Sequence, residues 1–224
     1  AMGLGRLIAL YDSNAITIEG DTAITFREDV AARFAAYGWH VATVEDGEDV
    51  DAIGQALKNA REETKRPSLI IVRTQIAYGT PKAGKASAHG EPLGEDNIRA
   101  MKEFFGWSQE PFQVPKEVYG HFAAMQSVFE KKEQEWNALF ADWETAYPEL
   151  AAQWKAYHEG SLPEDFAGDP DFWDFQDKTA TRSASGAVLN RLAGKGLNLF
   201  GGSADLAPSN KTVLSGRGEF GKDN

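Results

Sequence analysis

The sequence predicts an α/β fold: a parallel sheet flanked by helices, then a long helical stretch and the opening of a second α/β domain. Three observations predict it. Between residues 6 and 73, short apolar runs alternate with segments of helical periodicity. The runs are continuously apolar, which is how strands covered on both faces read. Glycine, proline and small polar residues separate the segments and mark the turns.

Each element follows in order. Arg6-Leu7-Ile8-Ala9-Leu10-Tyr11-Asp12 closes on turn residues and reads as a buried strand. Residues 13–25 read as a loop. From Arg27 to Tyr37 the apolar residues Val30, Ala31, Phe34 and Ala35 fall at helical spacing, and Gly38 supplies a C-terminal stop. Trp39–Val44 is the second strand. Val50–Thr64 is the next helix, with Ile53, Ala56, Leu57 and Ala60 on one face. Pro67 breaks the chain before the third strand, Ser68–Arg73. Ligands of parallel sheets bind beyond the carboxyl ends of the strands, which singles out the loops 12–20 and 76–94.

Glu95–Phe105 reads as a helix. Pro115–Tyr157 is a long charged helical stretch with one break, at Pro148. Its aromatics (Phe122, Phe129, Trp136, Phe140, Trp143 and Trp154) recur near helical spacing and read as a packing surface. Residues 159–178 hold Gly160, Pro163, Gly168 and Pro170 and read as a linker. Thr179–Ala193 is again helical, and Leu197-Asn198-Leu199-Phe200 reads as a strand opening a second domain. A domain of roughly 45 residues cannot close its own core. The expected division is 1–114, 115–178 and 179–224.

Composition narrows the function. The 224 residues are 42% hydrophobic and 25% charged, with a formal net charge of −11. That balance argues against nucleic-acid binding while leaving room for a locally basic pocket. There is no cysteine, which excludes disulfides and thiolate-bound zinc and fits a reducing compartment. No apolar run reaches the roughly 20 residues a membrane helix needs. The first residues lack the basic and apolar regions of a signal peptide.

Four constellations can carry chemistry. The first is Asp-Ser-Asn-Ala-Ile-Thr-Ile-Glu-Gly at 12–20, directly after a strand. The Asn14 side-chain oxygen and a backbone carbonyl two residues on can reach one hard cation such as Mg²⁺, though Asn in such a loop also serves simply as a turn former. The second is Ser-Ala-His-Gly-Glu-Pro-Leu-Gly at 87–94, where His89 is either a surface residue or a contact for an anion or a proton. The third is Gly-Gly-Ser-Ala-Asp-Leu-Ala-Pro-Ser-Asn at 201–210. The fourth is Thr181-Arg182-Ser183, whose arginine either sits in solvent or grips a phosphate bidentately.

In their order and wording these strings resemble the transketolases. Residues 12–20 resemble the distal half of that family's thiamine-diphosphate motif, and Tyr37-Gly38-Trp39-His40-Val41 the strand that follows. Residues 87–94 and 201–210 are transketolase-like, the latter the most specific string in the chain. The resemblance runs over essentially all of the sequence. It implies the thiamine-diphosphate-binding fold, from the pyrophosphate-binding domain (1–114) through a helical extension (115–178) into the start of the pyrimidine-binding domain (179–224). It also implies a cytoplasmic, homodimeric parent enzyme that moves a two-carbon ketol unit between sugar phosphates. The implied cofactors are thiamine diphosphate and Mg²⁺, with Ca²⁺ able to take the place of Mg²⁺.

The resemblance also assigns roles. Asn14 and the Ile16 carbonyl match the metal ligands, Asn14 touching the diphosphate as well. Ile76 matches the apolar residue beside the cofactor, and His89 the histidine that meets both cofactor and sugar. Arg182 and Ser209 match the pair that holds the substrate phosphate, and Asp205 an acidic residue near the thiamine site. Some of the family's pattern is absent: the Gly-Asp-Gly opening of the motif, the glutamate that activates the cofactor, and the N-terminal histidines. Ala77 stands where glycine is common. The expectation is a transketolase fragment that is inactive alone. Alternatives are an interaction module, or an excised core without function of its own. Phosphoketolase and deoxyxylulose-phosphate synthase chemistry are further alternatives, and the 201–210 string speaks against both.

Overall fold

A computed structural model describes residues 2–160, 168–175, 178–196 and 198–222. The chain divides into two compact units, Ala1–Gln113 with Gly221–Asp223, and Val114–Phe220.

The first unit is built on a three-stranded sheet: β1 (Ile8–Ser13), β2 (His40–Val44) and β3 (Ser68–Arg73). The order is β1-β3-β2 and both pairings are parallel, as the sequence predicts. β3 is central because it is the most apolar strand. Its Leu69, Ile70, Ile71 and Val72 are no more than 6% exposed.

Helices α1 (Val30–Ala36) and α2 (Val50–Glu62) make the two crossovers. These run in opposite directions across the sheet, so right-handed connections put the helices on opposite faces. On one face Ile70, Val72 and Val44 pack with Ala56 and Ala60 of α2, supported by Ile8, Ala52, Ile53 and Leu57. The alanines let the helix approach closely. On the other face Tyr11, Thr43 and Ile71 join Val30 and Ala31 of α1 around a cavity of about 300 Å³.

Asp29 and Asp49 cap the two helices, accepting from the amides of Ala32 and Ala52 at 2.9 Å each. At the far end of α1, Gly38 takes φ 81°, the left-handed stop its position suggests. Ser68 is a buried polar residue. Its hydroxyl pairs with His40 Nδ1 at 3.1 Å, and its amide donates to the Leu7 carbonyl.

After β3 come a compact loop, the four-residue helix α3 (Ser87–Gly90) and α4 (Glu95–Phe104). Tyr78 packs edge-on against Phe104 with centroids 5.6 Å apart, and Phe104 against Phe105 at 5.0 Å. Gly79 lies under these rings: a Cβ there would fall 2.8 Å from atoms of both phenylalanines. The aromatic group therefore ties the loop to the end of α4.

In the second unit α5 (Lys116–Ala146) and α6 (Pro148–Glu159) are separated where the sequence places the break. Tyr147, just before the proline, leaves the helical region at φ −134° and ψ 63°. Phe140, Trp143 and Trp154 close the joint, with ring centroids 5.4–6.3 Å apart. The rest of the expected packing surface is bare: Phe122, Phe129 and Trp136 are each more than half exposed, and no residue of α5 is buried.

Two expectations for the second unit need correction. The described part of the segment read as a linker is pinned to α7 (Thr181–Gly194). Phe172 is 2% exposed within the 3-10 turn Pro170–Phe172, and Arg191 donates to the carbonyls of Phe172 and Asp174 at 2.5 and 2.8 Å. Lys195 pairs with Asp169 at 2.7 Å. Turn-forming composition hid one anchoring phenylalanine. Residues 161–167 and 176–177 of that segment lie outside the described residues.

The strand read at 197–200 is likewise not seen. Leu197 lies outside the described residues, and residues 198–200 have no strand pairing. A strand exists only by pairing its backbone with a neighbour, and every strand among the described residues belongs to the first unit. Apolar sequence alone could not supply that partner.

Candidate functional site

The first candidate loop leaves the carboxyl end of β1. Ser13 ends the strand and Asn14 follows, half-buried. Ala15 turns into the left-handed region at φ 61°. The turn brings the Asn14 side-chain oxygen to the Ile16 amide, which donates to it at 3.0 Å. The loop then closes on itself: the Thr22 amide donates to the Ala15 carbonyl at 2.9 Å and the Thr17 amide to the Gly20 carbonyl at 2.7 Å. At the base, the Thr74 hydroxyl donates to the Asp12 carboxylate.

This arrangement leaves one lone pair of the Asn14 oxygen free. It also leaves the Ile16 carbonyl without a donor among the described residues. Both are hard, neutral oxygens of the kind Mg²⁺ accepts, and they stand at the ligand-binding end of the sheet. They fit as part of a metal site, since Mg²⁺ takes about six oxygens. Among the described residues no cluster of three His, Asp or Glu side chains is placed to hold a metal. A metal bound here would therefore meet amide and carbonyl oxygens, completed by phosphate, water or further ligands.

The second candidate loop leaves β3. A ladder of turns compacts it: the amides of Thr80, Ala83 and Gly84 donate to the carbonyls of Ala77, Thr80 and Ile76. Thr80 sits at the centre, 8% exposed, with its hydroxyl donating to the Ala77 carbonyl at 2.7 Å. Ala77 takes φ 54°, the conformation that explains why glycine suits this place. Ile76 is half-buried at the loop's base. His89 is exposed on α3, with its amide donating to the Ala86 carbonyl. The sequence places His89 in a loop; the structure places it on a single helical turn.

The remaining candidates belong to the second unit. Arg182 is exposed on the first turn of α7, and Ser209 is exposed on α8 (Ala207–Asn210). Their neighbours Ser183 and Pro208 line one groove between these helices. Gly186 makes that junction possible: a Cβ there would lie 2.6 Å from the Lys211 carbonyl oxygen. Asp205 takes φ 60° just before α8. The Ser203 hydroxyl is buried without a partner among the described residues. Asn14, Ile16, Ile76 and His89 thus share one unit, and Arg182, Asp205 and Ser209 the other.

The comparisons with known proteins bear on both groups. Residues 1–163 match the family model described as "Transketolase, thiamine diphosphate binding domain". The chain belongs to the transketolase family. It is 49% identical over 220 residues to a transketolase of Geobacillus stearothermophilus, a match covering 97% of this chain and 33% of that protein. It is 46% identical over 220 residues to the Bacillus subtilis transketolase, covering 97% and 33%. Among solved structures, a Pichia stipitis transketolase in complex with sedoheptulose-7-phosphate superposes with a TM-score of 0.85 at 38% identity. That superposition covers 96% of this chain and 32% of the other. The chain therefore spans about a third of the length of the curated relatives it matches. Transketolase family membership confirms the parallel α/β fold, and no helix among the described residues is long and apolar enough to cross a membrane.

Sequence reasoning missed three features of these loops. Lys82 reaches across the second loop to Glu91 and Pro92. Asn97 holds the Leu93 carbonyl at 2.7 Å. Ala15 carries the reversal that joins Asn14 to Ile16. None has a periodic signal, and Ala77 was legible only as an alanine where glycine is common, not by its φ.

Proposed function

We propose that this chain is a segment of a transketolase that transfers a two-carbon ketol unit from a ketose phosphate to an aldose phosphate, with thiamine diphosphate and Mg²⁺. The observation that carries the reading is the turn joining Asn14 to Ile16 at the carboxyl end of β1, in a chain belonging to the transketolase family. A Pichia stipitis relative binds sedoheptulose-7-phosphate, which supports a sugar phosphate substrate here.

In this reading Asn14 and the Ile16 carbonyl hold Mg²⁺, with Asn14 also meeting the diphosphate. Ile76 gives the cofactor an apolar contact at the base of its loop. Thiamine diphosphate, when bound, supplies the carbon nucleophile and the electron sink that the side chains lack. His89 hydrogen-bonds the sugar and moves a proton at the reacting carbonyl oxygen. Arg182 and Ser209 grip the phosphate and so fix how far the sugar reaches, and Asp205 lies near the thiamine. The parent enzyme is a cytoplasmic homodimer. Residues 1–114, 115–178 and 179–224 are its pyrophosphate-binding portion, a helical extension and the start of its pyrimidine-binding portion.

The turn at Asn14 and Ile16 supplies two metal oxygens of about six, so the 224-residue chain is expected not to turn over by itself. A ketol-transfer assay with a pentose-phosphate pair tests this. No turnover is expected from the isolated chain, and a loss of roughly 100-fold or more from His89→Ala in the longer protein that contains it. Clear turnover by the isolated chain, or full activity of that variant, overturns the reading.

A further inference from the structure

We propose that Lys82 is a positioning residue for His89, holding the helical turn that carries it against the loop that begins at Ile76. The inference rests on the reading of His89 as the residue that meets cofactor and sugar.

Lys82 is unusual for a loop lysine: its side chain is only 23% exposed. Its amide donates to Thr80 Oγ1 at 3.2 Å, within the turn ladder anchored to Ile76 and Ala77. Its ammonium crosses the loop and donates to the Glu91 carboxylate at 3.4 Å and the Pro92 carbonyl at 3.3 Å. One residue thus joins the beginning of the loop to its end, with His89 between. The exit is fastened once more by Asn97, which holds the Leu93 carbonyl at 2.7 Å. The neighbouring Lys85 is turned to the Pro81 carbonyl at 3.0 Å and does not share the task.

Local chemistry holds His89 only through the turn itself, where the amides of Ala88 and His89 donate to the Lys85 and Ala86 carbonyls. Helix α3 is four residues long and its preceding residue makes no side-chain cap. An isolated helical turn is not stable alone, because nucleation costs more than one bond returns. Gly90 follows His89 directly and stiffens nothing. The Lys82 ammonium, on a largely covered side chain, supplies a cross-loop restraint by bridging a carboxylate and a carbonyl through two long hydrogen bonds.

The test uses the 224-residue chain without ligand. It has four histidines, so the imidazole resonances are few and His89 is assigned by its loss in His89→Gln. In Lys82→Met the His89 resonance is expected to move to its random-coil position while those of His40, His121 and His158 stay. Backbone amides of residues 86–91 exchange ~10-fold faster, as a locally opened segment does. Lys82→Arg, which keeps two donors, restores both signals. Glu91→Gln, a change at an exposed group that leaves the fold intact, gives an intermediate shift, so the proposal stays testable if Lys82→Met fails to fold. Lys102→Met is the control: Lys102 makes a similar crossing to the Gln109 and Glu110 carbonyls, and its loss leaves His89 unmoved.

An unmoved His89 signal in both Lys82→Met and Glu91→Gln, or no rescue by arginine, overturns the proposal. In the longer enzyme, Lys82→Met is expected to lower kcat more than it raises KM, with no further loss on adding His89→Gln. Full activity of His89→Gln there would instead sink the functional reading while the spectra still decide the positioning role.

Discussion

The side-chain oxygen of Asn14 accepts the Ile16 amide at 3.0 Å across a left-handed Ala15. A single bond between residues two apart turns the chain at the end of β1 and leaves the second lone pair of the Asn14 oxygen and the Ile16 carbonyl without a donor among the described residues. The bond lies within the loop itself, between groups that the chain supplies.

Asn14→Ala removes the acceptor and exposes the cost of the turn. The chain is expected to lose about 1 kcal/mol of stability, the worth of one half-buried hydrogen bond. Asn14→Asp keeps an acceptor and stays within about 0.5 kcal/mol of the parent. Urea unfolding followed by tryptophan fluorescence measures both. Equal stability of Asn14→Ala and the parent would show that the turn holds itself.

Ala77 and Gly79 should respond in opposite senses. A left-handed alanine costs roughly 1–2 kcal/mol, and glycine's extra chain entropy returns about 0.5–1 of it. Ala77→Gly is therefore expected to stabilise by about 0.5–1 kcal/mol, raising the urea midpoint at constant slope. Gly79→Ala has a left-handed φ of 77° and meets the rings of Phe104 and Phe105. It is expected to destabilise by about 1–3 kcal/mol and to speed amide exchange through residues 76–84.

Acid should loosen one defined contact in the second unit. The Lys195 ammonium holds the Asp169 carboxyl below the usual aspartate range, burial opposes this, and the Asp171 amide reinforces it. A carboxyl with a depressed folded value contributes stability above the unfolded value and loses it as pH falls through the folded one. The segment 168–174 should therefore stay docked at neutral pH and loosen only below the ordinary aspartate range. Trp173 fluorescence in an acid titration follows it. Lys195→Met should move the change to higher pH; an unchanged midpoint would remove Lys195 as the cause.

The sheet was legible because burial writes itself into sequence. Ile70 and Val72 face α2 and Leu69 and Ile71 face away, so β3 had to be apolar throughout, and Ala52, Ile53, Ala56, Leu57 and Ala60 had to recur at helical spacing. The break between α5 and α6 was legible because proline cannot donate and constrains the residue before it. The strand read at 197–200 was not legible correctly, because pairing is not a local property.

Among the candidate residues, the sequence by itself determined which groups are available: the amide of Asn14 at the end of β1, the imidazole of His89 and, in the other unit, the guanidinium of Arg182. Residue chemistry and periodicity are local, so they can be read in order. Only the tertiary structure decided that Ala15 would turn left-handed to join Asn14 to Ile16, that Thr80 would be buried at the heart of a loop, and that Lys82 would reach nine residues ahead to Glu91. Those contacts are set by backbone conformations and cross-loop distances with no period, and no single residue carries them alone.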